Sequence, residues 1–308
     1  MKKLPLGPII LDLDKLTLSA EEKEILLHPN LGGVIFFRRN YESPEQLTEL
    51  VRSIKRLRSN LLLTVDQEGG RVQRFVQGLS KLPSLKSLAN EDLNSIQKVG
   101  ELMASEVISL GVDLSFAPVL DLDKGISDVI GDRSFHRNPE KVTEFASAYI
   151  AGMNKAGMKA VGKHYPGHGS VAVDSHVGLP EDLRTWDEIS EDLLPFRSLS
   201  KKLGGIMPAH IIFPNIDPNP VGFSHFWLQT ILREQLAFEG AIVSDCLNMG
   251  GAVVFGDIQA RSQAALDAGC DYILVCNNRA SSISALEGVK AVFDPLTQSR
   301  RENLLCQS

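Results

Sequence analysis

No run of apolar residues in this 308-residue chain approaches the ~18 needed to cross a bilayer, which excludes an α-helical membrane span. An excess of positive charge is missing too. Lys and Arg number 32 against 38 Asp and Glu, a net charge of −6, whereas a nucleic-acid partner calls for a basic face. The densest basic run, Lys55-Arg56-Leu57-Arg58, reads as a solvated helix end. The four cysteines (Cys246, Cys270, Cys276 and Cys306) contain no CxxC pair, a pattern that suits reduced thiols better than a zinc or disulfide framework. Met1-Lys2-Lys3 could open a signal peptide, but Pro5, Pro8 and Asp12 break the apolar segment before an h-region of ~7–15 residues forms. No repeat, low-complexity tract or linker divides the chain. With 43% hydrophobic residues, enough for a large core, these absences predict a mildly acidic, cytoplasmic α/β protein without nucleic-acid or membrane partners.

What is present is an alternation of strand and helix, repeated eight times. The expected strands are Pro8–Leu13, Gly33–Phe37, Leu61–Val65, Leu114–Pro118, Lys159–Gly162, Gly205–Pro208, Ala241–Ser244 and Tyr272–Cys276. Each is a short apolar run with little polar alternation, as parallel strands covered on both faces require. Helix starts are legible between them. Ser43-Pro44-Glu45-Gln46 offers a capping Ser, Pro at the first helical position and Gln at the capping-box position, and Leu47, Leu50, Val51 and Ile54 follow at helical spacing. Asn138-Pro139 opens another helix with Val142, Phe145, Ala146, Tyr149 and Met153 on one face. Ser224 precedes a third, with Trp227, Leu228, Ile231 and Leu232 facing inward. Segments near 92–110, 186–202, 258–268 and 281–292 complete the set, and 21–27 is the weakest helix.

Eight units predict an α/β fold of the (β/α)8 TIM-barrel type, residues 1–292, followed by a surface tail over 293–308. A doubly wound open sheet would want a Gly-rich turn after the first strand, where Leu11-Asp12-Leu13-Asp14 stands instead. Polar residues recur at the ends of the expected strands: Asp66, Asp121 and Asp123, Lys163-His164, His210, Asp245, and Asn277-Asn278. In barrels of this kind the active site is built at the carboxyl ends of the strands.

Three of the seven histidines fall within thirteen residues, in Lys163-His164-Tyr165-Pro166-Gly167-His168-Gly169-Ser170 and the following Asp174-Ser175-His176. Gly157-x4-Gly162-Lys163 imitates a phosphate-binding loop, but His164 replaces the required hydroxyl and the expected strand lies between the two glycines. Asp174 lies two residues before His176, and in an extended loop the two can share a side. There the carboxylate would set the tautomer of the imidazole and raise its pKa for proton transfer; a surface ion pair is the plainer alternative. Asp245, taken alone, is more readily a helix cap than a nucleophile or metal ligand. Asp66-Gln67-Glu68-Gly69-Gly70-Arg71-Val72-Gln73-Arg74 joins a strand-end acid to two arginines, and Gly131-Asp132-Arg133-Ser134 lies after the fourth strand. Arg offers a fixed fork of donors.

Together, Lys163-His164-Tyr165-Pro166-Gly167-His168-Gly169 with Asp174-Ser175-His176, Ser244-Asp245-x-Leu247-x-Met249, and Asp66-x-Glu68-Gly69-Gly70-Arg71-Val72 resemble glycoside hydrolase family 3. Within it they are most similar to the bacterial cytosolic β-N-acetylglucosaminidases (β-hexosaminidases) of cell-wall recycling. The resemblance implies a retaining hydrolase with Asp245 as nucleophile and His176, oriented by Asp174, as acid/base. It further implies that Asp66, Arg74, Arg133, Lys163 and His164 hold an N-acetylglucosamine unit. The implied substrate is a small muropeptide carrying GlcNAc on 1,6-anhydroMurNAc, the implied enzyme a monomer with neither cofactor nor metal. Two departures stand out: Cys246 follows the nucleophile where the family commonly has Asp, and Ser170 stands where an acidic residue is frequent. The competing expectations are a metal-dependent barrel hydrolase using His164, His168, His176, His210 and Asp245, and a barrel that binds sugar without cleaving it.

Overall fold

In the computed structural model, which describes residues 4–172 and 178–306, eight apolar runs pair side by side as parallel strands. They are β1 (Ile9–Asp12), β2 (Leu31–Phe36), β3 (Leu62–Val65), β4 (Leu114–Ser115), β5 (Val161–Tyr165), β6 (Gly205–Pro208), β7 (Ala241–Cys246) and β8 (Tyr272–Val275). Their order is β4-β3-β2-β1-β8-β7-β6-β5. The two ends of that row meet where Val119 bridges Lys163, flanked by backbone bonds from Leu120 N to Lys163 O (2.7 Å) and Val161 N to Ala117 O (2.8 Å). The sheet therefore closes on itself, as the eightfold alternation predicts. Nearly every strand residue is buried, because one side faces the barrel interior and the other the helices; that double cover is why the runs show no polar alternation.

Helices return the chain between strands, and their starts carry the expected chemistry. Ser43 Oγ accepts from Gln46 N at 3.2 Å ahead of helix Pro44–Leu57, which buries Leu47, Leu50, Val51 and Ile54. Asn138 Oδ1 accepts from Lys141 N at 2.8 Å ahead of Pro139–Lys155, whose buried face holds the expected five residues and Ile150. The short helix Ala20–Ile25 is held by a reciprocal capping box between Ser19 and Glu22, and buried Glu22 also receives Arg279 at 2.9 Å.

Three expectations are revised. β5 begins two residues later and ends three later than expected, so Lys163 and His164 lie inside the strand; β7 likewise extends through Asp245 to Cys246. Charged side chains had suggested strand ends, yet the last turns of these strands project into a polar cavity that accommodates them. The helix after Ser224, Phe226–Gln235, buries the four predicted residues but is wound more widely than an α-helix, with Leu236 N bonded five residues back to Ile231 O. The expected tail over 293–308 contains, among its described residues, an element that was not expected. Pro295–Glu302 is a helix whose Arg301, only 2% exposed, donates to the carbonyls of Leu6 and Asp271, clamping the amino-terminal end of the barrel.

Candidate active site

At the carboxyl ends of the strands lies a cavity of about 640 Å³. Its charged wall begins at Asp66, the residue after β3. The chain then makes a tight hairpin, Gln67–Gly69 against Val72–Gln73, turned by two glycines. Gly69 and Gly70 have φ of +103° and +56°, and a Cβ on Gly69 would lie 2.3 Å from Pro83 O, so no side chain fits the first of these positions. Buried Gln67 accepts from the amides of Arg74 (2.9 Å) and Phe75 (3.1 Å), which sets where the Arg74 side chain leaves the backbone.

The hairpin, β5 and the long connection after β4 are joined by charges that alternate in sign. Arg74 lies 3.8 Å from Asp66; Asp66 lies 2.9 Å from Lys163 Nζ; Lys163 lies 2.5 Å from Glu68; and Glu68 takes a two-pronged grip from Arg133 at 2.8 Å on both prongs. Lys163 and Glu68 are each almost wholly buried. Burial by itself would push the Glu68 carboxyl up, but Arg133 and Lys163 outweigh it and hold the group well below the usual carboxylate range. Burial likewise disfavours the Lys163 ammonium, and Asp66 and Glu68 overcome this and raise its pKa. Glu68, Lys163 and Arg133 are thus charged near neutral pH. A second tie, from exposed Arg71 to Asp132 (2.9 Å) and to the carbonyls of Asp128 and Val129, fixes the loop that carries Arg133.

His164 follows Lys163 on β5 and is held by Asp121, a fully buried carboxylate beyond β4. Asp121 Oδ2 lies 2.7 Å from His164 Nδ1, and its two oxygens also accept the amides of His164 and His168. Burial opposes the Asp121 charge, yet His164 and these donors lower its pKa. The loop stays close to the barrel because Gly169 packs against Leu122, whose carbonyl a Cβ would approach to 1.8 Å.

Asp245 reaches the floor of the cavity from β7. Its Oδ1 accepts the Cys246 amide at 2.7 Å. Burial raises its pKa, but His210, His164 and that amide more than compensate, and the carboxyl titrates below its ordinary 3.8. His210, whose Nε2 lies 3.1 Å from Cys246 O, and His168 both have lowered pKa values, first of all because they are buried.

The structure therefore brings Asp66, Arg74, Arg133, Lys163, His164 and Asp245 to one cavity from four separate stretches of sequence. Asp174 and His176 lie outside the described residues. Among the described residues, no group of three or more His, Cys, Asp or Glu side chains is placed to hold a metal ion. Two organising residues were absent from the expected set: Glu68, on which Lys163 and Arg133 converge, and Asp121, the anchor of the His164–His168 segment. Both stood in view, Glu68 within the Asp66–Arg74 motif and Asp121 after β4. Their signal is positional only, since an acid there gives no sign of which cation it meets.

Comparison with known proteins agrees across nearly the whole chain. Residues 9–302 match the glycosyl hydrolase family 3 N terminal domain. A β-hexosaminidase of Tolumonas auensis is 52% identical over 307 residues, covering 97% of this chain and 90% of that protein. Another, of Idiomarina loihiensis, is 50% identical over 310 residues, covering 98% and 94%. Among solved structures, native NagZ from Neisseria gonorrhoeae superposes with a TM-score of 0.93 at 43% identity, covering 99% of this chain and 92% of that one.

Proposed function

This chain belongs to glycosyl hydrolase family 3 and is a glycoside hydrolase, and on that premise we propose that it is a retaining exo-β-N-acetylglucosaminidase. It removes a terminal non-reducing GlcNAc from peptidoglycan fragments of the GlcNAc-1,6-anhydroMurNAc type, in the cytoplasm, during cell-wall recycling. The relatives named as β-hexosaminidases and NagZ support the sugar. The observation that carries the chemistry is Asp245: an ionised carboxylate near the end of β7, oriented by the Cys246 amide, in a cavity that Asp66, Arg74, Arg133, Lys163 and His164 also line.

In this reading Asp245 attacks the anomeric carbon while His176, oriented by Asp174, protonates the departing oxygen. The oxocarbenium-like transition state carries positive charge, which the fixed carboxylate stabilises and then captures as a glycosyl ester. His176 next takes a proton from water, which attacks the same carbon and releases the sugar with its configuration retained. Lys163, Arg74 and Arg133 offer donors and Asp66 an acceptor to the sugar. Asp121 occupies one ring nitrogen of His164 and leaves the other for a hydroxyl. Because Asp66, Lys163, Glu68 and Arg133 already bond one another, the sugar meets groups whose orientation costs little to keep.

The deciding experiment is release of nitrophenol from its N-acetyl-β-glucosaminide and its plain β-glucoside, each with and without a chelator. Chelator-insensitive cleavage of the N-acetyl substrate alone is expected. Cleavage of both overturns the specificity, loss of activity with chelator overturns the metal-free mechanism, and cleavage of neither leaves a sugar-binding barrel.

A further inference from the structure

Cys246 and Cys276 face each other across the ends of β7 and β8, with their sulfurs 3.1 Å apart. Hydrogen bonds hold the two strand ends side by side: Cys246 pairs with Leu274, two residues before Cys276, Leu247 N donates to Leu274 O at 2.8 Å, and Asn248 Nδ2 donates to Cys276 O at 2.8 Å. A disulfide needs about 2.05 Å between sulfurs, so closing the bond brings these two about 1 Å nearer. Cys276 is 2% exposed, but Cys246 is 9% exposed, and its neighbours Asp245, Met249 and Leu274 line the cavity. That places the thiol beside the cavity, the side from which a molecule as small as a peroxide would approach it. Cys246 Sγ also rests on Cys276 O (3.7 Å), as Cys270 does on Gly222 (3.7 Å) and Cys306 on Gly157 (3.6 Å).

We propose that Cys246 and Cys276 form an oxidation site at which hydrogen peroxide closes a reversible disulfide and switches off the neighbouring Asp245. The Cys246 thiolate attacks one peroxide oxygen; an S–O bond forms, the O–O bond breaks, and hydroxide leaves as water after taking a proton. Cys276 then loses its proton and attacks the Cys246 sulfur; the S–S bond forms and the S–O bond breaks, releasing a second water. The sum is two thiols and one hydrogen peroxide giving one disulfide and two waters. Cys246 is the better attacking group: the hydrogen bond from the Cys276 thiol lowers its pKa, and the same contact, with burial, raises that of Cys276. The consequence for turnover runs through one bond. Asp245 is oriented by the Cys246 amide at 2.7 Å, and drawing Cys246 toward β8 displaces that donor. A misplacement of about 1 Å at a reacting group costs on the order of a hundredfold in rate.

The test uses the full chain carrying Cys306→Ser, which leaves three thiols of the original four. After brief exposure to hydrogen peroxide, titration of the denatured protein should find one free thiol. Peptide mapping should find the segments containing residues 246 and 276 linked. Hydrolysis should fall at least about tenfold and return with dithiothreitol. With Cys276→Ala added, the same exposure should yield no linked peptide, and any loss of activity should be slower and should accompany dimedone labelling of Cys246. Three thiols remaining free overturns the proposal, as does a linkage elsewhere, or inactivation of the Cys276→Ala protein as fast and as reversible as that of its parent. The thiol count and the map stand whatever the preferred substrate proves to be.

Discussion

At the scale of single residues the site separates into groups that do chemistry and groups that hold them. Asp245→Asn should fold with unchanged circular dichroism and lose at least about three orders of magnitude in kcat, as for loss of a covalent nucleophile; near-normal turnover would remove Asp245 from that role. Glu68→Gln acts differently, because it strands Lys163 and Arg133 as cations without their shared partner. Breaking a buried ion pair from one side costs about 3–5 kcal/mol, read as a lowered urea midpoint together with weakened substrate binding. Arg71→Ala removes a pair half exposed on both sides, and its stability cost should stay within about 1 kcal/mol. If Glu68→Gln were as mild as Arg71→Ala, the chain of alternating charges would not be the frame proposed for it. The motifs around Asp66, Lys163 and Asp245 were legible in the sequence because each binds chemistry to a strand end. Glu68 and Asp121 were not, since their partners lie 65 and 43 residues away and no local pattern records those meetings.

At the scale of elements, helices Leu93–Ser109 and Pro139–Lys155 approach each other through glycines. A Cβ on Gly100 would lie 2.3 Å from Tyr149 O, and one on Gly152 would lie 2.0 Å from Gln97 O. Helix propensity alone favours Ala over Gly by about 1 kcal/mol, but here the obstructing atom is backbone and cannot turn aside. Gly152→Ala should therefore destabilise the protein by about 1–2 kcal/mol net, measured by urea unfolding; a more stable variant would show that the helices can separate without loss. Element boundaries were legible where capping residues mark them, as at Ser43 and Asn138, and where glycine or proline stops the chain. They were misjudged at β5 and β7, where the strand continues through Lys163, His164 and Asp245 because the cavity takes the charges a core would refuse. The wide winding of Phe226–Gln235 left no trace in the residue pattern, since its inward-facing stripe is that of an ordinary helix.

For the whole molecule, pH reports the cost of these burials. His168 and His210 fold with pKa values below their ordinary 6.5, so as pH falls through 6.5 the unfolded chain takes up protons that the folded one does not, and stability declines. Glu68 and Asp121 have folded pKa values below their ordinary 4.5 and 3.8. Their contribution is present above those values and is lost as pH falls further. Urea midpoints measured from pH 7.5 to 4 should fall continuously, first from the imidazoles and then from the carboxylates; a flat profile between 7 and 5 would contradict the histidine part. Because the Asp245 carboxyl also titrates below 3.8, any acidic limb of kcat/KM near pH 5–6 belongs to another group.

The barrel's seam has a consequence of a different kind. Seven of its joints are strand ladders, while the eighth is a single bridge at Lys163, the same residue whose side chain joins Asp66 and Glu68 above it. The amide protons of Val161 and Leu120, which cross that joint, should accordingly trade with deuterium sooner than those of β1 or β8. A sugar spanning the Lys163 wall and Asp245 would brace the joint from above and slow that exchange, so two backbone amides on the far side of the lysine would serve as a label-free gauge of occupancy.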